Sequence, residues 1–245
     1  MGEVPWFIAH SEDWRGDEVM LDPEESHHAL HVLRVPRSAP MWISDGGGSI
    51  ARCSLDEVRG DRVVAKIIDK QHHPRPLPEV VVYQAAPKAG KLDEVVEHLA
   101  QLGVAELRVF DSSRTVVRWN DDKRHKVAER WRAIARGAAK QSRNPFVMRT
   151  GFFGSWADLI SNVADEGHAL ALWEGASISL RERLPIDPQR LALIVGPEGG
   201  FAAEEADQLG AVGAEPVSLG PRIFRTEMAP VVACCSLLWH YCLIG

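Results

Sequence analysis

Residues 191–213, LALIVGPEGGFAAEEADQLGAVG, decide the fold. Leu191 to Val195 form an unbroken apolar run that stops at Gly196 and Pro197, a length that suits a strand rather than a helix. A strand apolar on both faces belongs inside a parallel sheet with helices on either side, because both faces must be covered. The Gly-Pro-Glu-Gly-Gly turn that follows carries little side chain, so its amides and carbonyls are open to close approach. Ala202-Ala203-Glu204-Glu205 then has the acidic first turn of a helix. Taken alone, the turn fits either a tight structural bend or a ligand cradle.

The strand-and-helix alternation extends outward from this stretch. EVVVYQAA (79–86), ELRVF (106–110), FVMRTGFF (146–153), HALALWE (168–174) and PVSLG (216–220) are strand candidates. KLDEVVEHLAQLG (91–103) places Leu92, Val95, Val96, Leu99 and Leu102 on one helical face, with Gly103 to end it. SWADLISNVA (155–164), AAEEADQLGAVG (202–213) and the C-terminal APVVACCSLLWHYCLIG (229–245) supply further helices. The expectation is an α/β domain over 75–245 with a mainly parallel sheet, its ligands at the carboxyl ends of the strands. Residues 1–74 differ: short apolar runs such as MWISD, ARCSL and RVVAKII, broken by DGGGS and RGD, predict a small β-rich domain. HPRPLP (73–78) excludes helix and reads as the linker.

The chain has 245 residues, 45% hydrophobic content and a net charge of −6. No stretch resembles a secretion signal, and no apolar run approaches the ~18 residues of a membrane span, so the expectation is a cytoplasmic protein. Cys53, Cys234, Cys235 and Cys242 lack paired metal spacing and read as reduced core residues. The charge is unevenly divided: between Arg108 and Arg149 there are 12 Lys or Arg against 4 Asp or Glu. Clustered cations of this kind suit a polyanion, although a solvated helix face has the same composition. A helix from about Arg124 to Ser142 turns Val127, Trp131, Ile134, Ala135 and Ala138 inward, leaving Arg124, Lys126, Arg130, Arg132, Arg136 and Lys140 outside. Gln141, Ser142, Arg143 and Asn144 follow before Pro145. In SHHALHVLR, His27, His28, His31 and Arg34 lie at helical spacing, but with no third ligand near they predict no metal site.

A second loop resembles the first in construction. VSLGPRIFRTEMAP (217–230) ends an apolar strand with Leu-Gly-Pro and sets Arg222, Arg225, Thr226 and Glu227 close together. Pro230 is comfortable only near a helix start, so the helix is expected at Glu227 or later. There is no GxGxxG after a first strand and no Lys-Ser/Thr pair for phosphate and magnesium. Dinucleotide redox chemistry and nucleotide hydrolysis are therefore poor fits.

LIVGPEGGF followed about twenty residues later by LGPRIFRTE resembles the signature of the 16S ribosomal RNA uridine N3-methyltransferases, the RsmE family of the knotted SPOUT superfamily. PKAGKLDEVVEHLAQLGV and RWRAIARGAAKQSRNP extend the likeness, and SHHALHVLRV does so more loosely, so it covers most of the chain. Phe224 and Met228 to Pro230 depart from the family pattern. The resemblance implies a small N-terminal PUA-like β-barrel that binds RNA and a SPOUT methyltransferase domain with a C-terminal trefoil knot. It implies S-adenosylmethionine as cofactor, a homodimer, and 16S rRNA or the small ribosomal subunit as partner.

On that likeness the donor-binding positions are Leu193, Gly196, Pro197, Glu198, Gly199, Leu219, Gly220, Ile223 and Thr226. The RNA-binding positions are His28, Arg34, Lys88, Arg124, Arg132, Arg136, Lys140, Gln141 and Arg143. Methyl transfer to N3 requires loss of the N3 proton, with negative charge spreading onto the flanking carbonyls. Arg225, or failing that Arg222, is expected to favour that anion, and Glu198 or Glu227 to accept the proton. An Arg225–Glu227 ion pair would explain the same two residues structurally.

Overall fold

The structure, a computed structural model, describes residues 4–87, 91–112 and 119–245. It divides into two compact units, one of residues 1–75 with 139–147 and the other of residues 76–138 with 148–245.

The first unit carries β1 (Trp6–Ile8), β2 (Trp14–Arg15), β3 (Glu18–Met20), α1 (Pro23–His27), β4 (Pro40–Ser44), β5 (Ser49–Arg59) and β6 (Arg62–His72). One sheet runs β1-β4-β5-β6-β3-β2; β1 is parallel to β4 and the other neighbours are antiparallel. No ladder joins β1 to β2 among the described residues. Phe7, Val19, Leu21, Met41, Ile43 and Val63 are fully buried at its core. Asp22 caps α1 by accepting from the Glu25 amide at 2.8 Å, with Pro23 opening the helix. Residues His28–Val32 continue it as a π turn. The sequence predicts short strands, yet β5 and β6 each run 11 residues. Their outer portions are exposed on both faces, so the period-two signal fades although the ladder continues. Residues 139–147 complete this unit: Pro145 O accepts from Ser44 Oγ at 2.9 Å and from the Gly48 amide at 3.1 Å, and the Val147 amide donates to Gly46 O at 2.9 Å.

The second unit contains β7 (Glu79–Ala85), α2 (Leu92–Gln101), β8 (Glu106–Phe110), α3 (Asp121–Ser142, to Ala138), β9 (Arg149–Gly154) and α4 (Trp156–Val163). It continues with β10 (Ala169–Leu172), β11 (Arg190–Val195), α5 (Ala203–Ala211), β12 (Ala214–Val217) and α6 (Ala229–His240). All six strands are parallel, in the order β12-β10-β11-β7-β8-β9. LALIV is central and wholly buried, as its composition requires. Ala192 and Ile194 pack with Leu159 and Val163 of α4 and Leu209 of α5, while α6 contacts β7, β11 and α2. The mixed α/β class with a parallel sheet is therefore as the alternation predicts.

The amino ends of the strands hold an ionic network. Glu166 accepts from the Tyr83 hydroxyl at 2.5 Å, from Arg108 at 3.2 Å and from Arg190, while Glu106 binds Arg108 at 2.8 Å and Arg149 at 3.0 Å. Burial pushes the carboxyls of Glu166 and Glu106 up, but the arginine hydrogen bonds outweigh it and hold both below the usual range.

Cys53 and Cys234 are buried, and burial pushes the Cys53 thiol up to about 12. Cys235 is only half-buried and Cys242 is exposed, which corrects the expectation of four core cysteines; Cys242 lies just past the end of α6. Among the described residues no helix is long and apolar enough to cross a membrane.

Candidate active site

The parallel order brings the carboxyl ends of β7, β10, β11 and β12 to one edge of the sheet. There a cavity of about 660 Å³ opens between three loops, within the ~300–1,000 Å³ range of small-molecule sites. The β11 loop contributes Val195, Gly196, Pro197, Glu198 and Gly200, and the β12–α6 loop contributes Ser218 to Glu227. Leu172, Trp173 and Glu174 follow β10, and Lys91 stands beside α2.

The two glycine-rich loops are shaped by backbone bonds. The Gly200 amide donates to Pro197 O at 2.9 Å, closing a turn in which Gly200 has a φ of +64°. Gly220 has a φ of +103° and its amide donates to Ser218 Oγ at 3.1 Å. Those left-handed positions are where only glycine is comfortable. The loops are joined by Thr226, whose hydroxyl donates to Gly196 O at 2.6 Å and accepts from Gln84 Nε2 at 3.0 Å. The Arg225 carbonyl accepts from the Met228 and Ala229 amides, both at 2.9 Å, which sets the start of α6 at Ala229, within the expected range.

Of the donor-binding expectations, Gly196, Pro197, Glu198, Leu219, Gly220, Ile223 and Thr226 line this one cavity, together with Arg222, Arg225 and Glu227. Leu193 does not; it is fully buried in β11, its neighbours Ala192 and Ile194 facing α4 and α5. Gly199 is exposed on the turn and is not part of the lining. Glu198, Arg222 and Arg225 are exposed at the lip. Glu227 is half-buried and pairs with Lys91 at 2.8 Å, so the ion pair is with Lys91 where the sequence pointed to Arg225. That lysine holds the Glu227 carboxyl below its ordinary range, with Arg225 adding a smaller effect. Sequence reading missed Lys91, Trp173, Glu174 and Gln84. Trp173 and Glu174 were accessible to it, since they end a buried strand on the ligand-binding edge.

The RNA-binding expectations spread over both units. In the first, His28 is half-buried with its ring edge-on to Phe7 at 6.3 Å, and Arg34 is exposed with a φ of +50°. Lys140 pairs at 2.7 Å with Glu25, whose side chain is 3% exposed, while Gln141 and Arg143 are exposed. In the second, Arg124 pairs with Asp111 and donates to Trp119 O at 3.0 Å, Arg132 is exposed and Arg136 is half-buried. Lys88 lies outside the described residues. The rings of His27 and His31 are 4.8 Å apart, and no group of three metal-binding side chains occurs among the described residues.

Comparison with known proteins agrees with this geometry. Residues 73–238 match the RNA methyltransferase domain family. The ribosomal RNA small subunit methyltransferase E of Mycobacterium bovis is 31% identical over 89% of this chain and 85% of that protein. Its Bacillus subtilis counterpart is 30% identical over 89% of this chain and 88% of its own length. The crystal structure of a ribosomal RNA small subunit methyltransferase E from Neisseria gonorrhoeae bound to S-adenosyl methionine superposes with a TM-score of 0.86, at 25% identity, covering 97% of this chain and 98% of that one. With its two glycine-rich loops closing on a single cavity, the chain belongs to the RNA methyltransferase family, in the group of the small-subunit ribosomal RNA methyltransferases E.

Proposed function

We propose that this protein transfers a methyl group from S-adenosylmethionine to N3 of a uridine in 16S rRNA of the small ribosomal subunit. The observation that carries the reading is the meeting of the 196–200 and 218–227 loops on one cavity at the carboxyl edge of a parallel sheet. The residues fit the donor. Leu172, Val195, Leu219 and Phe224 offer apolar wall for a purine ring, loop amides and carbonyls offer hydrogen bonds, and Glu174, Glu198 and Glu227 offer negative charge to a sulfonium. Glu227 Oε2 is buried with no hydrogen-bond partner among the described residues, so an acceptor stands ready at the cavity wall.

When bound, the donor supplies an electrophilic methyl carbon, and the protein's task is alignment and charge placement. N3 is on the Watson–Crick edge, so the target base must be unpaired or drawn from its stack. Arg225, exposed at the lip, faces the negative charge that spreads over the uracil carbonyls as the N3 proton leaves. Glu227 is committed to Lys91 and made less basic by it. The proton-acceptor role is assigned to Glu198, which lines the cavity from the exposed tip of the β11 loop.

In this reading the first unit is the PUA-like barrel that grips RNA, and residues beyond β9 form the trefoil knot. The strand order supports the knot: the chain leaves β9 at one edge, crosses to β10, returns to insert β11 between β10 and β7, and leaves again to β12. The protein acts as a homodimer through α6, which is apolar around its circumference yet leaves Trp239 68% exposed beside a cavity of about 1160 Å³. The protein is tested by incubating it with labelled donor and small subunits lacking the modification. Label recovered as N3-methyluridine is the expected result; label on cytidine, ribose or protein overturns the proposal.

A further inference from the structure

Gln84 is anomalous in its surroundings. β7 reads EVVVYQA, and its last six residues are buried. An amide in such a strand costs desolvation unless its groups are bonded. Gln84 is fully buried and is the register partner of Val195, the residue before Gly196. Its Nε2 donates to Thr226 Oγ1 at 3.0 Å and to Ala85 O at 3.1 Å, and the Thr226 hydroxyl passes the chain on to Gly196 O at 2.6 Å. Three segments distant in sequence, the end of β7, the β11 loop and the β12–α6 loop, are thus tied through one hydroxyl.

We propose that Gln84 is a positioning residue for methyl transfer: through Thr226 it fixes the Gly196–Pro197 peptide and so the angle at which the 197–200 turn enters the donor cavity. The proposal rests on the methyl-donor reading of that cavity. The Thr226 hydroxyl, engaged on both sides, orients two loops: Thr226→Val takes the donor from Gly196 O and leaves one Gln84 N–H without its acceptor, while Gln84→Leu removes the donor that fixes which way the hydroxyl points. Gln84 is not itself part of the cavity lining, so its effect on the donor is indirect.

The test compares wild-type protein with Gln84→Leu, Thr226→Val, Thr226→Ser and the Gln84→Leu/Thr226→Val double variant. Donor affinity is measured by calorimetry, kcat on unmodified small subunits, and folding by thermal melts. Each apolar single variant is expected to weaken S-adenosylmethionine binding about tenfold while retaining a cooperative melt. The double variant is expected to bind no more weakly than the worse single one, because both changes break one chain. Thr226→Ser, which keeps the hydroxyl, should recover most of the affinity lost in Thr226→Val. Gln84→Leu binding within about twofold of wild type, or losses that simply add, overturns the proposal. If Gln84→Leu does not fold, the Thr226 pair decides: loss in Val with recovery in Ser supports it, and indifference in Val overturns it. Wild-type protein that binds no donor overturns the methyl-donor reading as well, whereas donor binding with indifferent variants overturns the Gln84 role alone.

Discussion

At the scale of single residues, the arginines and carboxylates of the cavity have separated into different tasks. Glu227 is anchored by Lys91, and its charge is part of the wall. Arg225 is exposed at the cavity lip while its carbonyl takes part in starting α6, and the proposed function gives its guanidinium to the uracil. Replacing Arg225 by Ala is expected to lower the single-turnover methyl-transfer rate about a hundredfold, as loss of one charge-stabilising donor does elsewhere. Donor affinity should stay close to wild type. A variant that transfers methyl at an undiminished rate with saturating donor removes Arg225 from the chemistry.

At the scale of elements, α3 divides its cations between structure and surface. Lys140 pairs with the buried Glu25, so Lys140→Ala should lower the melting temperature, because it removes a cation from a carboxylate that water does not reach. Arg132 is exposed; Arg132→Ala should leave the melting temperature unchanged, weaken rRNA binding, and reduce the salt slope of that binding by about one. Melts and salt titrations on the two variants separate these effects. The inward stripe was legible in the sequence: Trp131, Ala135 and Ala138 are buried as spacing dictates. Ala128 and Ala139 join them while Val127 and Ile134 are only half-buried, because a single helix pattern does not register where its neighbours lie. The helix starts at Asp121 rather than near Arg124, with Asn120 accepting from the Lys123 amide at 3.0 Å, a capping signal that the charge pattern obscured. Both glycine-rich loops announced themselves through composition. Trp173 and Glu174 could be read only as the end of a buried strand, because their meeting with those loops depends on β10 lying beside β11, and Lys91, at the start of α2, carries no local mark of its pairing with Glu227.

At the scale of the whole molecule, the two ends of the parallel sheet are specialised, ionic at the amino edge and backbone-lined at the carboxyl edge. Glu166 and Glu106 have folded pKa values held below their unfolded ones. Their stabilising effect is therefore fully present above the ordinary carboxylate range and is lost as pH falls through the folded values. Urea melts taken from pH 7 downward should show stability declining below about pH 4.5. In Glu166→Gln that decline should be shallower from a lower starting stability; an unchanged pH profile would remove the network from the acid response. The proposed dimer predicts that Trp239→Glu yields monomers by sedimentation, and a dimer that survives the change rejects α6 as the interface. One feature of the first unit bears on how the chain is made. Gly46, Gly48 and Ser44 find their partners at Pro145 and Val147, so a nascent chain leaving the ribosome cannot close its leading unit until that later segment has emerged. Translation past β8 and the whole of α3 must come first, and the amino-terminal unit waits, incomplete, while the opening elements of the second unit are made.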